Sequence, residues 1–244
     1  MIIVEPKEYR DYKKELTDEL AAKGIVPAMM DVCRRFFEYK TYENAELVIS
    51  NLEKMAEKGD SHAMLLLGNI YYTGKGVPQS YKEATKWYET AAEGLEPYGL
   101  CNLGYCYFYG RDMKVNYKRA YECFSLAAYM YNPNAMYKLG DMYYYGNHVS
   151  EDKDAAYYWY REALYNLSGD DIKANIHYRL GMCYLYGHGT HKNELIALEH
   201  LQKAELEFFR LIEDGDTFAE LTLPRVKEVL EKVRNTLYSD TDIV

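Results

Sequence analysis

The chain has 244 residues, of which 48% are hydrophobic and 27% are charged, so it can build an extended core and is not predicted to be disordered. Its formal net charge of −9 argues against nucleic acid and anionic membranes as partners, because both draw affinity from clustered Lys and Arg. The 28 tyrosines, against 7 Phe and 2 Trp, favour positions where a ring makes contact while its hydroxyl stays hydrogen-bonded.

The start of the chain and its cysteines bear on location. Residues 1–8 lack a basic stretch followed by a long apolar one, and no later segment has about eighteen uncharged apolar residues, so we expect a soluble, cytoplasmic protein. The cysteines form no CxxC pair, which predicts buried, reduced thiols rather than a disulfide framework or a zinc knuckle. They are Cys33, Cys101, Cys106, Cys123 and Cys183.

Residues 1–59 predict helices that cap the N-terminal end of the fold. Residues 6–22 form an amphipathic stretch that has Tyr9, Leu16 and Leu20 on one side and stops near Gly24. A pair of predicted helices follows at about 27–38 and 45–59. This pair looks like a degenerate copy of the repeat that begins at residue 60.

A repeat of about 36 residues occupies residues 60–205. Four Leu-Gly pairs mark it, and their glycines are 36, 36 and 41 residues apart, so the last interval carries a five-residue insertion. We call these four residues the reference glycines and give other positions as offsets from them. The pairs are Leu67-Gly68, Leu103-Gly104, Leu139-Gly140 and Leu180-Gly181.

Each repeat predicts two antiparallel helices. Tyr at offset +3 shares one side of the first helix with the Leu-Gly pair, whose glycine lets a neighbouring backbone approach, and Gly at +6 ends this helix. A strong N-cap residue at +12 starts the second helix, whose Ala at +16 and +23 form a stripe suited to close packing. In chain order these are Tyr71, Tyr107, Tyr143 and Tyr184; Gly74, Gly110, Gly146 and Gly187; Ser80, Asn116, Asp152 and Asn193; Ala84, Ala120, Ala156 and Ala197; and Ala91, Ala127, Ala163 and Ala204.

This pattern resembles the Sel-one-like repeats, relatives of the tetratricopeptide repeat with a slightly longer unit. Residues 67–77 (LGNIYYTGKGV) and 86–94 (KWYETAAEG) carry the resemblance, which covers residues 60–205. Two connecting loops depart from the family pattern, with Arg111-Asp112-Met113 in place of Gly-x-Gly-Val and Thr190 after Gly189. The resemblance implies an all-α superhelix, or α/α solenoid, of antiparallel helix-turn-helix repeats.

Residues 206–244 predict capping helices at the C-terminal end. The helix that begins at Glu194 extends to about Ile212, past the usual length, and Pro224 opens a final helix. That helix carries Val226, Val229, Leu230, Val233 and Leu237. With caps at 1–59 and 206–244 around the repeats at 60–205, the chain is predicted to form one continuous solenoid domain.

The first helices of the repeats supply a candidate binding surface. In tetratricopeptide-type solenoids these helices line the concave face, and by that analogy offsets −6, −3, +1, +4 and +5 are predicted to be exposed. Their many tyrosines favour a groove for a peptide or protein, because Tyr offers a large rigid contact area at low entropic cost. Alternatively, the rings pack against the next repeat and meet no partner. The candidate partner-binding residues are Asn69, Tyr72, Tyr105, Phe108, Tyr109, Tyr137, Asp141, Tyr144, Tyr145, Tyr178 and Tyr186.

The histidines of the fourth repeat raise a second hypothesis, a metal-dependent enzyme. His188 and His191 are three residues apart in a loop, and His177 and His200 belong to the same repeat. This spacing lacks the helical geometry and the Glu of HExxH, which favours solvated histidines over a metal site. No carboxylate pair, nucleophile motif or phosphate-binding loop is evident, so no catalytic residue, metal or cofactor is predicted.

The sequence therefore favours a non-enzymatic scaffold or adaptor that binds a peptide or protein on the tyrosine-rich concave face. Two alternatives stay open. One is a hydrolase or metal-dependent enzyme that uses the histidines of repeat four. The other is a structural protein that assembles with itself through the long C-terminal helices, so a homo-oligomer also remains open.

Overall fold

The computed structural model describes residues 7–38, 45–167 and 172–239. Across these residues the chain forms twelve α-helices and no strand, in two compact units that meet between Val115 and Asn116. Unit 1 contains α1 (Lys7–Ala22), α2 (Val26–Glu38), α3 (Ala45–Ala56), α4 (Ser61–Thr73), α5 (Tyr81–Glu93) and α6 (Pro97–Tyr109). Unit 2 contains α7 (Tyr117–Tyr129), α8 (Pro133–Tyr145), α9 (Lys153–Tyr165), α10 (Lys173–Tyr186), α11 (Glu194–Glu213) and α12 (Thr217–Ser239).

Within each unit, helices that are consecutive in the chain pack against each other. The first helices of the four repeats are α4, α6, α8 and α10, and the second helices are α5, α7, α9 and α11. The prediction of an all-α fold built from helix-turn-helix repeats is confirmed. The proposed division at residues 59 and 205 remains a prediction, and the segment before Lys7 lies outside the described residues.

The predicted capping residues start all four second helices. The side chains of Ser80, Asn116, Asp152 and Asn193 each accept a hydrogen bond from the backbone N–H three residues later. Each cap satisfies a donor that the helix itself leaves unpaired and contributes about 1 kcal/mol. The sequence positions of these helix starts are therefore confirmed.

Glycine at offset +6 ends every first helix, as predicted. Gly74, Gly110, Gly146 and Gly187 have φ values of 68°, 64°, 69° and 71°, in the left-handed region. A second left-handed position follows at offset +8, which the sequence did not reveal. Glycine occupies it in repeats one and four, whereas Asp112 and His148, with φ of 59° and 70°, hold it in repeats two and three.

Three of the reference glycines, Gly68, Gly140 and Gly181, make room for a side chain rather than for a neighbouring backbone, which corrects the sequence prediction there. A Cβ on Gly68 or Gly140 would overlap the ring of Tyr88 or Tyr160, which lies on the second helix of the same repeat. A Cβ on Gly181 would come within 2.8 Å of Leu201 Cγ. The reason is the residue at offset +20, which is large and buried in every repeat. The four residues at this offset are Tyr88, Phe124, Tyr160 and Leu201.

The N-terminal helix packs through a different side from the one predicted. Leu16 and Leu20 are exposed on α1, whereas Ala21 is fully buried and Asp18 pairs with Arg35 of α2 at 2.5 Å. This ion pair and the buried alanine turn the predicted apolar side of α1 away from the core. The side chain of Tyr9, the third residue of that prediction, lies outside the described residues.

The final helix begins seven residues earlier than predicted. The Asp216 side chain caps α12 by accepting hydrogen bonds from the backbone N–H groups of Phe218 and Ala219, and the helix continues through Pro224. Proline in a helix interior removes one backbone hydrogen bond, at a cost of about 3 kcal/mol. Burial of Ala219 and Leu223 just before it offsets that cost, because both lie in the core that α12 shares with α11.

Candidate binding surface

In unit 1, four of the predicted binding residues line one surface depression of about 350 Å³. Asn69 and Tyr72 come from α4, and Tyr105 and Tyr109 come from α6. The rings of Tyr105 and Tyr109 are stacked at 6.1 Å, while Phe108 meets Tyr109 edge-on at 5.0 Å. The structure thus brings together Asn69, Tyr72, Tyr105 and Tyr109, which the sequence analysis grouped by analogy with tetratricopeptide-type solenoids.

Uncharged side chains that line this depression form a hydrogen-bond network. The Tyr88 hydroxyl donates to Asn69 Oδ1 at 2.8 Å, and Asn102 Nδ2 of the next repeat donates to the same oxygen at 3.0 Å. Burial raises the pKa of Tyr88 well above its usual range. Asn69 therefore joins two repeats, because its amide oxygen accepts one bond from each.

Arg111 lies against the aromatic rings of unit 1. Its guanidinium carbon is 4.9 Å from the ring centroid of Tyr81 and 5.8 Å from that of Tyr109, which are cation–π distances. Burial raises the pKa of the Tyr72 hydroxyl, and the positive charge of Arg111 partly opposes this rise. Arg111 belongs to the loop that departs from the family pattern, so the departure places a cation beside the candidate surface.

Unit 2 repeats this network with charged residues. Asp141 Oδ1 accepts a hydrogen bond from the Tyr160 hydroxyl at 2.9 Å and lies 2.9 Å from Arg179 Nε of the next repeat. Lys138 Nζ is 3.5 Å from the other carboxylate oxygen. Burial opposes the charge on Arg179, but the Asp141 carboxylate outweighs this and raises its pKa. Burial and Asp141 together raise the pKa of Tyr160.

The two networks use the same three offsets. Position +1 supplies the acceptor, +20 supplies the tyrosine hydroxyl, and −2 of the following repeat supplies a second partner, a hydrogen-bond donor in unit 1 and a cation in unit 2. In unit 1 these are Asn69, Tyr88 and Asn102, and in unit 2 they are Asp141, Tyr160 and Arg179. The sequence alignment could have suggested offset +20, since it holds a large residue in every repeat. Offset −2 varies among Leu66, Asn102, Lys138 and Arg179 and showed no pattern.

The tyrosines of unit 2 gather around Arg179. Tyr144 and Tyr145 meet edge-on at 4.9 Å, and the guanidinium carbon of Arg179 is 5.6 Å and 5.2 Å from their ring centroids. Tyr178 is close enough to interact electrostatically with Tyr145 and Tyr186, while burial raises its pKa. We call Tyr144, Tyr145, Tyr178 and Tyr186 the tyrosine surface of unit 2.

The eleven predicted binding residues differ in how much of each side chain is exposed to solvent. Tyr109, Tyr145 and Tyr186, all at offset +5, are 50%, 54% and 57% exposed. The prediction of exposure is wrong for Tyr137 and Asp141, because both side chains are buried. Asp141 is held by its ion pair and hydrogen bond, and the Tyr137 ring packs 5.9 Å from that of Tyr160. The other six are half-buried: Asn69, Tyr72, Tyr105, Phe108, Tyr144 and Tyr178.

Tyrosines at offset +3 join neighbouring repeats in unit 2. The hydroxyls of Tyr121 and Tyr143 are 2.9 Å apart, and those of Tyr157 and Tyr184 are 2.8 Å apart. In each pair one residue comes from a second helix and the other from the first helix of the next repeat. The hydrogen bond to its partner raises the pKa of Tyr143, and likewise of Tyr184, to about 12. These tyrosines therefore pack one repeat against the next.

The histidines of repeat four form a pair and not a larger cluster. His177 Nδ1 and His200 Nδ1 are 2.9 Å apart, and the ring of Tyr184 stacks on His200. Burial, followed by the charge of His200, lowers the pKa of His177 to about 4. His188 lies 3.4 Å from the Tyr144 hydroxyl. No group of three or more His, Cys, Asp and Glu residues suited to a metal occurs among the described residues.

Two further observations concern the whole described chain. Its helices include none that is both long and apolar enough to cross a membrane. All five cysteines are free thiols, and all except Cys123 are buried.

Comparisons with known proteins agree with the repeat geometry. The family model of the Sel1 repeat matches residues 61–94, 97–132, 133–166 and 174–205, which is more than half of the chain. No curated protein matches the sequence. Solved structures that are similar to this chain in fold include the three that follow.

The first is a protective antigen of uropathogenic Escherichia coli strains with an SLR fold, at 25% identity and a TM-score of 0.65, covering 87% of this chain and 51% of the antigen. This chain thus spans about half the length of that protein. The second is a Sel1 repeat protein from Oxalobacter formigenes, at 25% identity and a TM-score of 0.57, covering 76% of this chain and 71% of the other. A putative sel1 repeat protein from Klebsiella pneumoniae subsp. pneumoniae follows, at 19% identity and a TM-score of 0.51, covering 88% and 99%.

Proposed function

The chain belongs to the Sel1 repeat family, whose members are generally protein-interaction scaffolds, and from this premise we propose that it is a non-catalytic scaffold that binds a peptide or protein segment through the tyrosines of its first helices. The observation that carries the proposal is the exposure of Tyr145 and Tyr186 on the tyrosine surface of unit 2. Both rings lie beside half-buried Tyr178, and Arg179 contacts Tyr145.

The surroundings of these rings support binding. A tyrosine has two side-chain torsions, so a ring already held by neighbours loses little entropy when a partner covers it. The rings that serve packing, such as Tyr88 and Tyr160, are nearly inaccessible to solvent. Tyr145 and Tyr186 leave more than half of their surface exposed within a cluster of tyrosines, so these rings are accessible to a partner.

Unit 2 offers a matched control for testing this surface. Tyr129 and Tyr165 are 83% and 87% exposed at the ends of second helices, so they are tyrosines of greater exposure outside the first helices. We compare Tyr145→Ala/Tyr186→Ala with Tyr129→Ala/Tyr165→Ala in affinity capture from lysate of the source organism. Both double variants are expected to melt within a few degrees of the parent, because exposed side chains contribute little to stability.

The proposal predicts that proteins captured by the parent chain are depleted at least about tenfold by the Tyr145/Tyr186 variant and retained by the Tyr129/Tyr165 variant. Equal capture by all three proteins would contradict the proposed surface. Equal loss in both variants would also contradict it, since any exposed tyrosine would then serve.

A further inference from the structure

The charges of this protein are distributed unevenly between the helices of each repeat. The chain has 38 Asp and Glu residues, yet the four first helices contain a single carboxylate, that of Asp141. Helices α4 and α6 contain no charged residue at all, whereas α8 and α10 add Lys138, Lys173 and Arg179. The face that bears the candidate tyrosines is therefore neutral to basic on an acidic protein.

On the tyrosine surface of unit 2, this difference is reinforced by α12. Tyr178 packs against the core that contains Leu223 and Val226 of α12. Arg225 lies between these two residues in sequence, is exposed, and acts electrostatically on the Tyr178 hydroxyl, as Arg179 does from its own helix. Four carboxylates are placed against the cations of this region. Glu194 pairs with Lys192 at 2.8 Å beside Tyr186, and Glu151 pairs with Lys153 at 3.0 Å beside Tyr144. Asp141 lies beneath Arg179, and Glu228 accepts a hydrogen bond from Lys232 at 2.6 Å. Each of these four carboxylates thus has a cation of its own.

We infer that the segment bound at the tyrosine surface of unit 2 is acidic, with Asp or Glu side chains that pair with Arg225 and the outer edge of Arg179. This inference rests on the proposed function and adds the chemistry of the partner. A guanidinium has five N–H donors in a plane, so Arg179 can face Asp141 with Nε and a ligand with its remaining donors.

The net charge of −9 does not prevent an acidic segment from binding here. At physiological ionic strength charges are screened beyond about 8 Å, so the groups beside the bound segment decide its preference. A basic segment at this surface would instead meet Arg179 and Arg225. Like charges at close range disfavour that partner.

A matched pair of variants tests the inference. Arg225→Glu reverses the charge beside Tyr178, whereas Arg234→Glu makes the same change nine residues later, on the opposite side of α12. Arg234 is exposed and lies in a different depression with Glu205 and Glu231. Both variants change the net charge equally, and circular dichroism checks that both fold.

The probes are two fluorescent peptides of equal length, one with Asp-Gly-Leu repeats and one with Asn-Gly-Leu repeats, measured by fluorescence polarisation. We expect the Asp peptide to bind the full chain more tightly and to weaken as NaCl rises from 0.05 to 0.5 M. Arg225→Glu should weaken its binding at least about tenfold, and Arg234→Glu less than about twofold.

Failure of the Asp peptide to bind, equal binding of the Asn peptide, or equal losses in the two arginine variants would each overturn the inference. The capture experiment with the tyrosine variants distinguishes failure of the acidic-segment inference from failure of the proposed scaffold function. If the Tyr145/Tyr186 variant loses a captured partner, the scaffold proposal stands and only the inference of an acidic segment is rejected. If that experiment fails as well, both proposals fall.

Discussion

The two units solve the same packing problem with different chemistry. In unit 1, Asn69 accepts hydrogen bonds from Tyr88 and Asn102, and all three groups are neutral. In unit 2, the same offsets hold Asp141, Tyr160 and Arg179, two of which are charged. When one partner is removed, a neutral network leaves an unsatisfied hydrogen-bonding group, whereas an ion pair leaves a charge without compensation, which costs more. The repeat geometry thus fixes where a polar link lies but not how much the fold depends on it.

The largest expected effect comes from breaking the two networks at their acceptors. Asp141→Ala should lower the free energy of unfolding by about 3–5 kcal/mol, because buried Lys138 and half-buried Arg179 lose the carboxylate that compensates their charges. Asn69→Ala should cost about 1–3 kcal/mol, because the Tyr88 hydroxyl loses its acceptor. Urea unfolding followed by circular dichroism measures both.

A double variant identifies the cause of that difference. Asp141→Ala/Arg179→Met removes one of the two cations together with their shared carboxylate and leaves only Lys138 uncompensated, so it should cost less than Asp141→Ala alone. Equal costs for Asp141→Ala and Asn69→Ala would show that charge does not distinguish the two networks.

A smaller effect is expected where the reference glycines meet the tyrosine rings. Gly68→Ala and Gly140→Ala both place a methyl group against a ring, which costs about 1–3 kcal/mol and outweighs the gain of about 1 kcal/mol in helix propensity. Gly140→Ala should be the worse of the two, because the charged network holds Tyr160 in place. Thermal melting compares them, and a rise in melting temperature for both would mean that the rings yield freely.

The smallest expected effect is a dependence on acid that belongs to unit 2. The pKa of His177 is about 4 in the fold and about 6.5 in an unfolded chain, so the unfolded state binds more protons between these values and stability falls as pH drops from 6.5 to 4. Lys203 and Lys173 also oppose protonation of His177, whereas Glu207 favours it. A loss of about 1 kcal/mol between pH 7 and pH 5 is expected, after allowing for partial exposure.

Urea unfolding at pH 7 and pH 5 checks this dependence. His177→Gln cannot be protonated in this range, so its stability should change less between the two values than that of the parent. An identical pH dependence in parent and variant would assign the acid sensitivity to other groups.

Local chemistry explains how much of the fold was predictable. Ser80, Asn116, Asp152 and Asn193 act on backbone groups within the same turn, so their sequence positions sufficed to place four helix starts. The alanines at +16 and +23 are likewise fully buried, as the spacing predicted. Short-range rules therefore determined the repeat almost completely.

Features that depend on distant residues were not predictable. Leu16 and Leu20 form a good apolar side of α1, yet the pairing of Asp18 with Arg35 orients the helix otherwise. Pro224 is a common helix start, but a cap at Asp216 and a shared core with α11 carry the helix through it. The burial of Asp141 was missed for a similar reason, since its partners come from α9 and α10.

The polar link between repeats also has a direction. Repeats one and three each offer an acceptor at +1 and a hydroxyl at +20, and the following repeat completes the link from −2. Repeat four has Met182 and Leu201 at those offsets, and α12 follows it in place of another first helix. Repeat two likewise lacks this pair, with Tyr105 and Phe124 at those offsets, so only alternate repeats carry the polar link. A polar group at −2 of a fifth unit grafted behind the fourth would meet Met182 and Leu201, and neither side chain could form this hydrogen bond.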